Sequence, residues 1–284
     1  MRQVKEFYKE TPFNFSNQIE FYIQNLLEAN QIIEYRDLHR LLSRKKNIFG
    51  RPEVSEVIEF GCGTGWLTNS MSYYYNKMVK SIDFTEKAVE TAKKVAKKLK
   101  VSPVYEVSDI FDYEDSRKYD LVISMGVLHH TYDCKNAFKK ISTFVKPGGY
   151  LYVGLYHLYS RRPMLQLLQG HARWYGEKSA YNLFKIMNKD MKNSDHSYSW
   201  FRDQVIHPHE TQHTITEVSS WLKDIGFELV STSINNYKPL KNTNMNILHQ
   251  IEISLERNSI TKNFENLEFL PGYFTIAAKQ AENL

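Results

Sequence analysis

Three glycines at alternate positions follow a short apolar run near residue 60. The segment reads Glu59-Phe60-Gly61-Cys62-Gly63-Thr64-Gly65. Because glycine has no Cβ, the chain can turn tightly there and its backbone can lie against a ligand. Asp83 ends a second apolar run, at a separation from the glycines where a carboxylate can accept hydrogen bonds from two ribose hydroxyls. The pattern predicts a strand, a nucleoside-binding turn and a helix.

The glycine spacing and the acidic residue before it disfavour a nicotinamide cofactor. The glycines read G-x-G-x-G rather than G-x-G-x-x-G, and Glu59 stands two positions before Gly61. A carboxylate that faces the turn would repel a pyrophosphate, whereas it would attract a ligand that carries an ammonium group and a sulfonium charge.

This motif resembles the first motif of the class I S-adenosylmethionine-dependent methyltransferases, of the small-molecule type that includes ubiquinone and menaquinone methyltransferases. Three later segments extend the resemblance: 105–110, 119–130 and 144–153. The resemblance implies S-adenosylmethionine as the cofactor. It implies that the methionine end is bound by Glu59, Gly61 and Gly63, the ribose by Asp83, and the adenine by Asp109 and Ile110. The further cofactor contacts expected are Tyr8, Cys62, Gly65, Phe84 and Met125.

Several histidines are candidates for the catalytic group. Methyl transfer needs an aligned nucleophile and, where that nucleophile carries a proton, a base to remove it. An imidazole of near-neutral pKa suits that role. His129 and His130 follow the predicted fourth strand, near the expected position of the methyl group, and His209 lies in a histidine-rich segment. We expect a catalytic role for these three, with His130 preferred; packing of the loop is the alternative.

The histidine-rich segment contains the pattern H-E-x-x-H at His209, Glu210 and His213. That pattern binds zinc only when its histidines lie one turn apart on a formed helix. Here Pro208 precedes the pattern, and Thr214 begins a T-x-x-E capping box for a helix that follows it. We therefore expect a loop that folds over the active site, and no metal.

Strand and helix patterns alternate along the chain. Strands are expected near 56–60, 78–82, 103–107, 120–125, 149–156, 227–233 and 272–279, and helices near 65–75, 85–99, 135–144 and 214–225. Such alternation predicts a parallel sheet with helices on both faces. The resemblance implies a Rossmann-like α/β sheet of seven strands whose last hairpin is antiparallel. The ligand would then bind at the carboxyl ends of the strands.

Segments outside this core are expected to determine which acceptor the protein binds. We divide the chain into an N-terminal helical cap (1–50), a cofactor-binding core (51–157), a lid insertion (158–213) and the rest of the core (214–284), with a further insertion at about 235–271. The lid is expected to hold helices near 162–174 and 179–191, and the later insertion a helix near 247–256. Long insertions at one end of an α/β sheet are typically lids or binding walls. Arg161 and Arg162 are expected to meet a carboxylate or phosphate, or to form a solvated pair.

Composition narrows the class of protein. The 284 residues are 42% hydrophobic and 24% charged, with no apolar run that approaches a membrane span and only two cysteines. Together with the charged N-terminal stretch, these features predict a cytoplasmic protein. The net charge of +5 does not by itself indicate nucleic acid. Much of it lies on one predicted helix, whose lysines are 93, 94, 97, 98 and 100 and whose apolar stripe is Ala88, Ala92, Val95, Ala96 and Leu99. The lysines are thus expected to form a solvated face.

The sequence therefore predicts a methyltransferase that acts on a small-molecule acceptor. Two alternatives stay open: an RNA or protein methyltransferase, and a non-catalytic S-adenosylmethionine-binding sensor or partner subunit. The sequence indicates neither the acceptor, nor the methylated atom, nor the oligomeric state.

Overall fold

A seven-stranded sheet forms the centre of the described part of the protein, which in this computed structural model comprises residues 2–28, 54–238, 240 and 244–281. The strands are β1 Glu56–Phe60, β2 Met78–Asp83, β3 Val104–Val107, β4 Tyr119–Met125, β5 Val145–Tyr156, β6 Phe227–Thr232 and β7 Tyr273–Gln280. Their spatial order is β3-β2-β1-β4-β5-β7-β6. The first five are parallel, and β7 lies antiparallel between β5 and β6. The predicted fold class, with its antiparallel last hairpin, is confirmed.

Helices surround this sheet and extend from it. They are α1 Arg2–Glu10, α2 Ile19–Leu27, α3 Trp66–Tyr75, α4 Glu86–Leu99, α5 Cys134–Ser142, α6 Leu158–Tyr175, α7 Glu177–Met187, α8 Ser194–Phe201, α9 Ile215–Asp224 and α10 Met245–Ile260. Short 3₁₀ turns span Leu128–His130 and Ser233–Asn235, and π-helical turns span Arg202–Ile206 and Thr261–Glu265. None of the helices in the described ranges is long and apolar enough to cross a membrane.

Both faces of the sheet are covered because successive strand residues point to opposite sides. On β1, Val57 packs in a cluster with Leu67 of α3, whereas the next residue, Ile58, packs in a cluster with Phe138 of α5. The lysines of α4 are exposed and its apolar stripe is buried, as predicted. The basic run is therefore the wet face of an amphipathic helix.

The lid has a hydrophobic core of its own. Its members come from α6, α7 and α8 and include Met164, Leu168, Ala180, Phe184 and Phe201. The start of α6 at Leu158 is earlier than predicted because the His157 side chain caps it by accepting a hydrogen bond from the Ser160 N–H. The end of α7 at Met187 is earlier, and the helix of the later insertion is longer, than the sequence indicated.

The fifth strand begins earlier than predicted. It was expected near 149–156, but β5 already begins at Val145, which pairs with Tyr119. The register between the two strands then shifts, and Gly148 takes up a φ of 73°, a left-handed conformation that favours glycine. Of the expected N-terminal cap (1–50), Met1 and residues 29–50 lie outside the described residues.

Candidate active site

A cavity opens at the carboxyl ends of β1, β2, β3 and β4, beside α1. The predicted site residues that line it are Tyr8, Glu59, Gly61, Cys62, Gly63, Asp83, Phe84, Asp109, Ile110, Met125 and His130. These residues come from the N-terminal helix and from four strand ends and the loops after them. Parallel strands end at one edge of the sheet, so residues far apart in the sequence meet there.

The glycine turn is fixed by the strand beside it. The N–H groups of Gly61 and Cys62 both donate to the carbonyl oxygen of Ile82, at 2.7 and 3.2 Å. A Cβ on Gly61 would lie 2.3 Å from Val127 Cγ2, so that position has no room for a side chain. At Gly63, by contrast, a Cβ would have no neighbour nearer than the Phe13 carbonyl oxygen at 4.0 Å. Gly63 thus leaves free space at the cavity wall.

Asp83 holds this turn as well as lining the cavity. Its Oδ2 accepts a hydrogen bond from the Gly63 N–H at 2.8 Å, and its Oδ1 accepts one from the Thr85 N–H at 2.8 Å. Burial raises the pKa of the Asp83 carboxyl, and the two N–H donors act against that rise. A carboxylate oxygen can accept more than one hydrogen bond, so both oxygens keep capacity for a ligand.

Glu59 is a buried carboxyl group at the end of β1. It accepts a hydrogen bond from the Thr68 hydroxyl, which also lies 2.6 Å from the Ser81 hydroxyl oxygen. Burial raises the pKa of Glu59 to about 7. The group is therefore poised to lose its proton when a cation enters the cavity.

Asp109 and Ile110 form the far wall after β3. Asp109 Oδ2 lies 3.0 Å from Lys5 Nζ of α1, and its Oδ1 accepts a hydrogen bond from the Phe111 N–H at 3.0 Å. Ile110 is buried and Phe84 lines the same cavity. This wall combines an apolar surface with one acceptor group, and α1 reaches across to it.

Tyr8, His130 and Asp203 meet at the other side of the cavity, which we call the Asp203 end. The Tyr8 hydroxyl donates to Asp203 Oδ1 at 2.5 Å. Asp203 Oδ2 accepts from the Tyr156 hydroxyl at 3.2 Å and from Gln204 Nε2 at 2.8 Å. Burial raises the pKa of Asp203, whereas the neighbouring His207, the hydrogen bonds from Tyr8 and Tyr156 and the charge of Arg161 favour its ionised form. Asp203 lies in the π-helical turn Arg202–Ile206 and is 4% exposed.

The tautomer of His130 follows from its hydrogen bond. Its Nδ1 lies 3.0 Å from the carbonyl oxygen of His209, which can only accept, so Nδ1 carries the hydrogen. Nε2 therefore holds a lone pair, is buried and has no hydrogen-bond partner among the described residues. It lies 3.9 Å from Asp203 Oδ1. Burial lowers the pKa of His130 to about 4, so the imidazole is neutral near pH 7.

Three predicted site residues do not line the cavity. Gly65 packs against Tyr105, His129 stacks on Tyr156 at 3.8 Å between ring centroids, and His209 Nε2 lies 3.0 Å from the Thr131 carbonyl oxygen. His209 nonetheless acts on the site, because its carbonyl oxygen fixes the tautomer of His130. Of the two neighbouring histidines, His129 thus packs on Tyr156, whereas His130 belongs to the cavity wall with its Nε2 atom buried.

The H-E-x-x-H segment is a loop, as predicted, and α9 begins after it at Ile215, capped by Thr214. The Thr211 N–H donates to the His129 carbonyl oxygen at 2.8 Å, which fastens this loop to the turn after β4. His213 Nδ1 lies 3.0 Å from Glu217 Oε2. Among the residues that the structure describes, no three His, Cys, Asp or Glu side chains converge as metal ligands would.

The sequence left open whether Arg161 and Arg162 form a solvated pair, and for Arg161 that alternative is wrong. This side chain is fully buried, and its guanidinium lies 3.5 Å from the centroid of the Tyr156 ring. Its five N–H groups donate to Glu210, Gln204 and the Pro271 carbonyl oxygen. Arg162 is exposed. Arg161 therefore holds the lid to the loop that contains Glu210. A sequence pattern alone could not distinguish the role of Arg161 from that of Arg162.

Asp203 lines the cavity but was not among the predicted catalytic or cofactor-binding residues. Its one signal is position: it is an acidic residue in the aromatic and apolar stretch Trp200-Phe201-Arg202-Asp203-Gln204-Val205-Ile206. Charged residues are rarely buried without partners, so an acidic group within such a stretch is a candidate for a buried hydrogen-bond network.

Comparison with known proteins agrees with this architecture. A family described as "Methyltransferase domain" matches residues 53–226, more than half of the chain. The ubiquinone biosynthesis O-methyltransferase of Coxiella burnetii is 24% identical over 187 residues, which are 66% of this chain and 69% of that protein. The malonyl-(acyl-carrier protein) O-methyltransferase 2 of Ilyobacter polytropus is 26% identical over 221 residues, 76% of this chain and 82% of that protein.

Solved structures show the same fold. The magnesium protoporphyrin IX methyltransferase of Synechocystis PCC 6803, crystallised with S-adenosylmethionine, is 14% identical with a TM-score of 0.52, over 98% of this chain and 93% of its own. PKMT2 from Rickettsia typhi is 15% identical with a TM-score of 0.59, over 88% of this chain and 52% of its own, so this chain spans about half of that protein's length. Since the family match spans the strands that build the cavity, the chain belongs to the methyltransferase-domain family and is a class I S-adenosylmethionine-dependent methyltransferase.

Proposed function

We propose that this chain methylates a small-molecule acceptor, with His130 taking the acceptor's proton. The observation that carries the proposal is the Nε2 lone pair of His130, which is buried and unpartnered in a residue of the cavity wall. The printed names of two relatives, both O-methyltransferases, support an oxygen atom as the nucleophile. An alcohol or phenol oxygen carries a proton at neutral pH, so its methylation is helped by a base.

The residues of the cavity fit S-adenosylmethionine. Gly63 leaves space at the wall, and the polar groups beside it are the carboxyls of Glu59 and Asp83, which suit hydroxyl and ammonium donors. The apolar wall at Ile110 suits a purine ring. When bound, the cofactor supplies a methyl group on a sulfonium sulfur, and the C–S electron pair stays on sulfur as the acceptor's lone pair forms the new bond to carbon.

We assign the cofactor contacts from methionine to adenine along the strand ends. Glu59, Gly61 and Gly63 would receive the methionine part, Asp83 the ribose, and Asp109 with Ile110 the adenine. Further contacts are proposed for Tyr8, Cys62, Phe84 and Met125, all of which line the cavity. Gly65 would act indirectly, by allowing α3 to start close to Tyr105.

His130 is placed to hold the acceptor's proton at a defined atom. Its Nδ1–H is anchored on the His209 carbonyl oxygen, so the proton would go to Nε2. The imidazolium formed would lie beside the Asp203 carboxylate, whose Oδ1 is 3.9 Å from Nε2. That charge pair would offset the cost of burying a cation. Tyr8 keeps Asp203 in place through its 2.5 Å hydrogen bond.

The added segments would enclose the acceptor. We retain the division into a cap (1–50), a core (51–157), a lid (158–213) and a C-terminal part of the core (214–284). The cap supplies Tyr8 and the lid supplies Asp203, and the two meet at the cavity. Exclusion of water by such segments favours transfer to the acceptor over side reactions. We place the enzyme in the cytoplasm.

The test is a metabolite screen with methyl-labelled S-adenosylmethionine. The wild-type protein should transfer label to a small molecule of a cell extract, whereas folded Gly63→Val protein should not. The reason is that a branched side chain at a φ of 51° would be strained and would fill the free space at the cavity wall. Binding of S-adenosylhomocysteine without any labelled product would favour the sensor alternative, and label on RNA or protein would favour the macromolecular one.

A further inference from the structure

The Asp203 end contains a buried carboxylate that, within the described ranges, has no Lys or Arg side chain in direct contact with it, although the charge of Arg161 beyond the Tyr156 ring lowers its pKa. Asp203 accepts hydrogen bonds from three uncharged donors, Tyr8, Tyr156 and Gln204. The basic side chain that approaches it in the cavity wall is His130, at 3.9 Å, whose imidazole is neutral near pH 7. The hydrogen bonds satisfy the carboxylate oxygens but leave its negative charge in place.

His130, in the wall of the same cavity, holds a second acceptor, its buried Nε2 atom. Because its Nδ1–H is given to the His209 carbonyl oxygen, only the Nε2 lone pair remains for a ligand. His130 is 4% exposed. Two acceptors, Asp203 Oδ1 and His130 Nε2, thus face each other across 3.9 Å with no hydrogen between them. A ligand that binds to these two acceptors must therefore donate a hydrogen bond.

At the Asp203 end of the described cavity wall, no Lys or Arg side chain is placed to hold an anionic ligand; Lys5 pairs with Asp109 on the far wall. Within the described ranges, the lining residues include four carboxyl groups, those of Glu59, Asp83, Asp109 and Asp203, and neither Lys nor Arg. Arg161 lies near, over the Tyr156 ring, but all of its N–H groups are already donated within the protein. At this end the Asp203 carboxylate would repel a carboxylate ligand, and no charged donor among the described lining residues would offset that repulsion.

We propose that this end of the cavity selects an uncharged acceptor that carries a hydrogen on its nucleophilic atom, such as an alcohol or phenol, against carboxylates and phosphates, and that Asp203 sets the selection. The inference rests on the proposed function, since it concerns the acceptor of the same reaction. In selection of this kind, a negatively charged side chain of the protein repels anionic ligands. The hydrogen on the nucleophilic atom of an uncharged acceptor points to His130 Nε2. Because that acceptor carries no negative charge, Asp203 does not repel it.

Matched pairs of probes test the selection without knowledge of the natural acceptor. The pairs are phenol with benzoate, 2-naphthol with 2-naphthoate, and 1-decanol with decanoate. Protein loaded with S-adenosylhomocysteine is titrated with each probe, and binding is followed by the His130 ring resonances in NMR, assigned with His130→Gln. In wild-type protein at pH 7.5 we expect an uncharged member to bind at least about tenfold more tightly than its carboxylate.

Two variants separate charge from hydrogen bonding. Asp203→Asn keeps the size of the side chain and removes its charge, so the preference should fall to within about threefold. Tyr8→Phe removes one donor and keeps the charge, so the preference should persist. Equal binding of carboxylates by wild-type protein, an unchanged preference in Asp203→Asn, or the absence of binding by every probe would each overturn the proposal.

Failure of the selection is distinguishable from failure of the function. Loss of S-adenosylhomocysteine binding in calorimetry, or of all labelled product in the metabolite screen, would count against the proposed function. A labelled methyl ester of a carboxylic acid in that screen would leave methyl transfer intact and would overturn the charge selection alone.

Discussion

The Asp83 carboxylate joins the ends of β1 and β2: its Oδ2 accepts a hydrogen bond from the Gly63 N–H at 2.8 Å. Its other oxygen accepts from the Thr85 N–H at the same distance. The residue proposed to bind ribose therefore also holds the glycine turn in position. Under the proposed assignment, cofactor binding and the shape of the glycine turn both depend on the Asp83 side chain.

Asp83→Ala should weaken the binding of S-adenosylmethionine by about 1–3 kcal/mol, because both the ribose hydroxyls and the Gly63 N–H lose a charged acceptor. Isothermal calorimetry measures the loss. Asp83→Asn is the matched control: it keeps one acceptor oxygen and should retain more of the affinity. Unchanged binding by folded Asp83→Ala protein would remove Asp83 from the site.

Glu59 predicts a pH dependence of cofactor binding. Its folded pKa of about 7 lies above the ordinary value, so the free protein holds this proton below about pH 7. An ammonium group favours the carboxylate and expels the proton, so affinity should rise with pH up to about 7 and level off above. From pH 6 to 8 we expect a gain of up to about tenfold.

Calorimetry with S-adenosylhomocysteine in buffers of different ionisation enthalpy would detect the released proton. Glu59→Gln cannot ionise, so its binding should be weaker and nearly independent of pH over this range. A pH dependence that persists in Glu59→Gln would assign the titration to another group.

The residues at the glycine-turn end of the cavity could be predicted from sequence because their signals are local. The glycine turn follows an apolar run, Asp83 ends a second one, and Asp109 closely follows the predicted third strand. Once strands and helices alternate, the topology brings these strand ends to one edge. The capping residue Thr214 was equally local, because a cap and the N–H that it accepts from lie within one turn. Each of these needed only a short window of sequence.

The contacts at the Asp203 end could not be predicted from such local signals. Tyr8 and Asp203 are 195 positions apart, and their hydrogen bond depends on how α1 and the lid pack. Arg161 and Arg162 are chemically identical neighbours, yet one is fully buried and the other exposed. Position on the helix decides between them, and the start of α6 was itself set by a cap at His157. Residue type gives no information on such long-range placement.

Arg161→Met should destabilise the protein by about 3–5 kcal/mol, because it leaves the carboxylate of Glu210 largely buried without its cation. Urea unfolding measures the change. Arg162→Met, at the exposed neighbour, is the matched control and should stay within about 0.5 kcal/mol of wild type. Adding Glu210→Gln to Arg161→Met should recover part of the loss; full additivity of the two would argue against a coupled pair.

The H-E-x-x-H loop should work without metal. Glu210 is occupied by Arg161 and His213 by Glu217, so chelators such as EDTA should leave methyl transfer unchanged, and purified protein should contain far less than stoichiometric zinc by elemental analysis. Activity that is lost on chelation and restored by zinc would reverse this assignment.

His130→Ala should lower turnover by about 10²–10⁴-fold with cofactor affinity nearly unchanged, because it removes the base and leaves the cofactor contacts in place. His209→Ala is the matched control. It removes an imidazole that lies outside the cavity wall but keeps the carbonyl oxygen that orients His130, so its loss should be below about tenfold. Near-normal turnover in His130→Ala would favour catalysis by positioning alone.

The pH profile gives His130 a signature that a structural role would not produce. Burial lowers its pKa to about 4, and only the neutral imidazole accepts a proton, so kcat/KM for the acceptor, measured with saturating cofactor at every pH, should stay constant from pH 7 to about 5 and fall as pH drops through about 4. An unperturbed histidine would give the fall near 6.5. Depressed pKa values of buried histidines also reduce stability as pH falls below about 6.5. Circular dichroism at each pH must therefore show folded protein, and an acid limb that persists in the residual activity of His130→Ala would belong to a different group.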